Sequence, residues 1–110
     1  MQEVTLFHFE SEDIKIDIVA RFEGEALVID GFDMGKRVEE YWGGSDYEYN
    51  MKIGAPGVEI LYVNFGVTPG EKQELLNFIA AQYNTNTCYS QLENLFTALK
   101  IQRESLKWSS

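Results

Sequence analysis

Few side chains in this chain could carry chemistry unaided. His8 is its one histidine and Cys88 its one cysteine. An imidazole ligand or proton relay would have to use His8, which sits inside the apolar run Glu3–Glu10 (EVTLFHFE), where a half-buried structural role is expected. Cys88 lies near a helix start, a position that favours a thiolate. With no second cysteine and no histidine nearby in sequence, it is expected to be a small, partly buried side chain. A zinc site lacks its soft ligands. Asp30, Asp33, Asp46 and Glu48 could converge on a hard cation, yet they do not follow the spacing of a calcium loop. Asp33 is expected to cap a helix, Asp46 to sit in a turn and Glu48 to lie on a wet strand face. Glu39 and Glu40 are adjacent and point apart on a helix surface, so they do not form an acid/base pair. Gly31, Gly35, Gly43 and Gly44 spell no phosphate-binding loop. No catalytic residue, metal or cofactor is therefore expected. The candidates that remain form an interaction surface: Asp33, Glu39, Glu40, Tyr41, Trp42, Asp46, Tyr47, Glu48 and Tyr49, where aromatic anchors stand beside carboxylates.

Elements to position these residues can be read from periodicity. Glu3–Glu10 predicts a strand with Phe7 and Phe9 on one face and Val4, Leu6 and His8 on the other, so cover is expected on both sides. From Ile14 to Phe22 apolar residues recur at every second position, a half-buried strand. Ala26–Ile29 follows after a short break, which makes residues 3–30 a three-stranded antiparallel meander. Met34, Val38, Tyr41 and Trp42 fall on one face of a short helix capped by Asp33 and stopped by Gly43-Gly44. Tyr47–Ile53 alternates as another strand. Val58–Val67 is almost continuously apolar and β-branched and predicts a central strand, with a helix as the alternative. Thr68-Pro69-Gly70-Glu71 predicts a capped helix start, followed by the stripe Leu75, Leu76, Ile79, Ala80 and Tyr83. A second long helix is expected over Cys88–Lys100, with Leu92, Leu95, Phe96 and Leu99 inward. Residues 101–108 predict an edge strand. The expected fold is α+β in a single domain over residues 1–110: about five to six antiparallel strands, two C-terminal helices on one face, and one short helix between strands three and four, in the order β-β-β-α-β-β-α-α-β.

Composition narrows the class further. An apolar content of 45% argues against disorder in a chain of 110 residues. The start of the chain has neither the basic segment nor the apolar core of a signal peptide, and no apolar run reaches the length of a membrane span, so a soluble cytoplasmic protein is expected. The net charge is −9. Residues 1–50 carry 13 acidic and 4 basic side chains, and residues 51–110 carry five of each. All of the excess thus belongs to the first half. Such a field repels nucleic acid and anionic lipid and attracts a basic partner or a cation.

Asp30–Tyr49 spells D-G-x-D-x-G-x-x-V-E-E-x-W-G-x-S-D-Y-E-Y. This run resembles a motif of an uncharacterised family of small acidic bacterial proteins. The resemblance implies a sheet-embedded segment followed by helices and a short final strand. It is confined to these 20 residues and brings no catalytic residue with it. The function expected from all of this is a non-enzymatic acidic interaction domain, of inhibitor or immunity type, for a basic protein partner. The alternative is a small-molecule or cation-binding domain with a pocket between sheet and helices near Trp42 and Tyr47. Whether the chain is a monomer or a homo-oligomer is left open by the sequence.

Overall fold

Alternating apolar residues dominate the first half of the chain, and the computed structural model, which describes residues 2–35 and 46–109, turns them into strands. Strands β1 (Glu3–Glu10), β2 (Ile14–Glu23), β3 (Ala26–Gly35) and β4 (Asp46–Ile53) precede helices α1 (Ala55–Phe65), α2 (Lys72–Gln82) and α3 (Cys88–Ala98). Strand β5 (Glu104–Ser109) closes the series. The sheet runs β1-β2-β3-β4-β5, antiparallel throughout. The protein is therefore α+β, with five strands and three helices among the described residues.

Register fixes which side chains share a face. Ile18, Gly31 and Tyr49 line up across β2, β3 and β4, as do Ala20, Ile29 and Met51, and Phe22, Leu27 and Ile53. These rows face the helices, and almost every apolar member is buried. α1 lies against β3 and β4, and α2 against β1 and β2. Leu61, Leu76, Ile79, Leu92 and Phe96 complete the core from the helix side.

β1 departs from the expected two-faced pattern. Its register with β2 shifts between Thr5 and Phe7, so Leu6 is the extra residue of a β-bulge. Val4 pairs with Ala20 and Phe7 with Ile18, and both partners belong to the helix-covered face. The bulge thus turns two apolar phases of opposite parity toward one core, where Val4, Leu6 and Phe7 all pack. Phe9 lies beyond the cover and is exposed, and His8 pairs with Asp17 on the other face, exposed rather than half-buried.

Further expectations are corrected. Asp33 caps no helix: Asp33 and Met34 belong to β3, which stays paired with β2 as far as Ile14–Gly35. A ten-residue β2 carries its neighbour along for its whole length. Asp46 likewise begins β4, opposite Met34. The rest of the expected short helix, Val38, Glu39, Glu40, Tyr41 and Trp42, lies outside the described residues. The stretch expected as a central strand from Val58 is mostly helix α1. Pro56 stands in the first turn, where its missing N–H removes no helical bond, and Gly66 (φ 70°) ends the helix in the left-handed conformation. Val67 N–H donates to Tyr62 O at 3.0 Å across that cap. With β4 already paired to β3 and β5, the sheet has no vacancy for another central strand. α2 starts at Lys72 rather than at Thr68, because Gly70 has φ 91°, outside helical geometry, and no side chain caps the helix. There are consequently three helices between the last two strands, where two were expected. Among the described residues no helix is long and apolar enough to cross a membrane.

Helix α1 supplies a sharp test. Leu61 is completely buried and Val63 is 81% exposed, although a strand would place both on one face. Leu61→Ala is expected to cost about 2–5 kcal/mol and Val63→Ala less than about 0.5 kcal/mol in urea unfolding. Equal losses would contradict the helix.

Candidate functional site

Local register divides the expected surface residues between two faces. Asp33, Tyr47 and Tyr49 point to the helix side, and Glu48, between the tyrosines, points away from it. Asp46 is placed by its backbone alone, opposite Met34. Glu39, Glu40, Tyr41 and Trp42 fall outside the described residues.

On the helix side Tyr49 joins Asp33 and Tyr47 to Tyr89, which follows Cys88 at the start of α3. Tyr49 pairs in register with Gly31, and its ring lies across the space that a side chain there would fill: a Cβ on Gly31 would sit 1.8 Å from Tyr49 Cε2. The Tyr49 hydroxyl donates to Asp33 Oδ1 at 2.9 Å. Tyr89 meets the Tyr49 ring edge-on, with centroids 4.7 Å apart, and the Tyr47 ring lies 5.3 Å from that of Tyr49. Burial raises the Asp33 carboxyl above its ordinary value, against the opposing pull of the Tyr49 bond. Burial also raises the Tyr49 phenol, and the adjoining Asp33 charge adds to that. The Tyr89 phenol and the Cys88 thiol are raised chiefly by burial as well. All of these shifts keep protons on phenols and thiol, so this corner donates hydrogen bonds and offers no activated nucleophile. Cys88 is fully buried at the first residue of α3.

The other face carries the charge. No described helix packs on it, and its register rows read His8–Asp17–Phe32–Glu48, Thr5–Val19–Asp30–Asn50–Leu106 and Glu3–Arg21–Val28–Lys52–Glu104. Glu10 and Lys15 extend the first edge, and Glu23 the other. Among the described side chains, seven carboxylates (Glu3, Glu10, Asp17, Glu23, Asp30, Glu48, Glu104) thus share the face with Lys15, Arg21 and Lys52. The cations are engaged. Arg21 Nε donates to Asp30 Oδ2 at 2.7 Å and Arg21 Nη1 to Glu23 at 3.2 Å; Lys52 reaches Glu23 at 3.2 Å. Those bonds raise the Arg21 guanidinium, and Lys52 together with Arg21 lowers the Glu23 carboxyl. His8 Nδ1 lies 2.5 Å from Asp17, and Lys15 3.9 Å from the same carboxylate. Glu48 has no ion pair among the described residues. Beside it opens a cleft of about 210 Å³ lined by Asp30, Gly31, Phe32, Glu48, Tyr49 and Asn50. Val19 and Phe32 are half-buried on this face, Met34 is partly open, and Leu106 is 57% exposed. Among the described residues no three of His, Cys, Asp and Glu converge as metal ligands.

Asn50 and Tyr89 are absent from the sequence-derived set. Asn50 could have been found from parity, since it lies two residues from Glu48 on one strand. Tyr89 carries no such signal, because its approach to Tyr49 depends on where α3 docks. No family model, curated protein or solved structure matches the chain.

Two outcomes follow from the helix-side corner. Gly31→Ala should destabilise the fold by about 1–3 kcal/mol, since the new methyl displaces the Tyr49 ring, and most of that loss should vanish in a Tyr49→Ala background. A double-mutant cycle in urea measures both; an Ala at position 31 that stabilises the protein would contradict the packing. Asp33 sets a pH dependence. Its folded carboxyl holds a proton to higher pH than the ordinary value of 3.8, so its contribution to stability is complete below that value and is lost as pH rises through the folded one. Asp33→Asn keeps an acceptor for Tyr49 and removes this loss. Its stability relative to wild type should therefore increase between about pH 4 and pH 7 in denaturant unfolding; a pH-independent difference would contradict the desolvation of Asp33.

Proposed function

We propose that the chain is a non-enzymatic acidic interaction domain, of inhibitor or immunity type, that binds a basic protein partner across the sheet face opposite the helices. The observation that carries this reading is the composition of that face. Among the described side chains, seven carboxylates share it with three cations that already pair within the protein, and apolar side chains lie among them. Charge of this kind steers encounter and rejects acidic competitors, while Phe32, Met34 and Leu106 supply apolar area for a stable contact.

A second reading, a small polar ligand between sheet and helices near Tyr47, is favoured by the hydroxyl of Tyr89. That residue is 6% exposed, and its hydroxyl has no hydrogen-bond partner among the described residues. A ligand of that kind at about 100 times its dissociation constant would stabilise the fold by about 2.7 kcal/mol in a thermal-shift screen.

The interaction reading is tested with two charge-reversed triples. Glu3→Lys/Glu10→Lys/Glu104→Lys alters the open face, and Glu59→Lys/Glu71→Lys/Glu74→Lys alters exposed positions in or beside α1 and α2 by the same total charge. In affinity capture from source lysate, the wild type and the helix-layer triple should retain a salt-sensitive basic partner that the open-face triple loses. Equal behaviour of the two triples would sink the reading.

A further inference from the structure

We infer that the cleft between Asp30, Phe32, Glu48 and Asn50 seats one arginine side chain of the basic partner, an inference that rests on the open face being the interaction surface. The cleft lies where two register rows of β3 and β4 meet, so its four side chains stand on neighbouring positions of paired strands. Each offers something a guanidinium uses. Asp30 gives Oδ2 to Arg21 and keeps its second carboxylate oxygen. Arg21 reaches it from the neighbouring row of Val28, on the side away from Phe32. Glu48 is half-buried and has no cation among the described residues, and the Asn50 amide has no hydrogen-bond partner there. Phe32, half-buried between these polar groups, presents an aromatic ring.

Charge accounting singles out Glu48. Asp30, Arg21, Glu23 and Lys52 form a connected chain of two anions and two cations. That chain is neutral in sum, so among the described residues the charge left over at the cleft is the carboxylate of Glu48. A half-buried anion without a counter-ion among those residues gains most from a partner that supplies one. The acceptors come from three separate side chains spread around a ring. A planar fork with five N–H donors can reach several of them while its flat face lies on the phenyl group; an ammonium, a compact and strongly hydrated point charge, matches this set less well.

The experiment is an NMR titration of ¹⁵N-labelled protein with N-acetyl-arginine amide and, separately, N-acetyl-lysine amide. The arginine probe should produce saturable shifts centred on Gly31, Phe32, Glu48 and Asn50. Glu48→Gln, whose spectrum should otherwise overlay that of the wild type, should weaken the probe about five- to tenfold. The lysine probe should bind several-fold more weakly. Diffuse or non-saturating shifts, an arginine affinity unchanged in Glu48→Gln, or lysine binding as tight as arginine would each overturn the inference. Capture of the partner separates this inference from the reading it rests on. If Glu48→Gln leaves capture intact while the Glu3/Glu10/Glu104 reversal abolishes it, the arginine seat falls and the interaction face stands. If neither change affects capture, both fall.

Discussion

One-sided burial of the sheet is the constraint on which the rest of the structure depends. In the spans Ile16–Phe22, Leu27–Ile29 and Met51–Ile53 the apolar residues at alternate positions fall on one face, and the register aligns them row by row, with Val19 and Val28 left on the other. A slip of one residue in any pair would send an entire apolar set to the wet side. The helices then have one surface to cover, and they deliver Leu61, Leu76, Ile79, Leu92 and Phe96 to it. The bulge at Leu6 serves the same constraint. Without it, β1 would carry Val4 and Phe7 on opposite faces, and one of them would sit among the carboxylates.

How much of this is legible in the sequence depends on how far each signal reaches along the chain. Strands β1, β2 and β4, the helix from Cys88 and the edge strand at the end follow from local periodicity, and the α+β class follows from their order. The misreadings are of two kinds. Residues 58–67 are apolar at nearly every position, so neither period dominates; the helix is settled by Pro56, by Gly66 and by a sheet whose central places are taken. Asp33 looks like a cap because aspartate before an apolar spacing commonly is one. Its side chain is instead engaged by Tyr49, sixteen residues away in sequence, a contact no local pattern encodes.

The proposed interaction surface is partly legible for the same reason. Glu48 was placed on a wet strand face, and it lies on the open one. Its companions Asp30, Phe32 and Asn50 depend on the pairing of β3 with β4. That register is set by contacts between residues distant in sequence. The acidic excess of the first half is plain from counting, whereas its concentration on one face requires the sheet.

Gly31 ties the two faces together. On the helix side its missing side chain leaves room for the Tyr49 ring, which reaches Asp33 on the same face and meets Tyr89 from α3. On the open side the same Gly31–Tyr49 pair lies between Asp30, Phe32, Glu48 and Asn50 and lines the cleft. In a strand, neighbouring residues point to opposite faces of one backbone, so whatever fixes the Gly31–Tyr49 pair fixes the spacing of the four side chains around it. The aromatic contacts on the buried face thus hold the geometry of the charged face. Around the Gly31–Tyr49 pair, tyrosine, glycine and carboxylate thus have a structural cause of their own: the buried aromatic packing and the exposed polar cleft are built on the two faces of the same pair of strands.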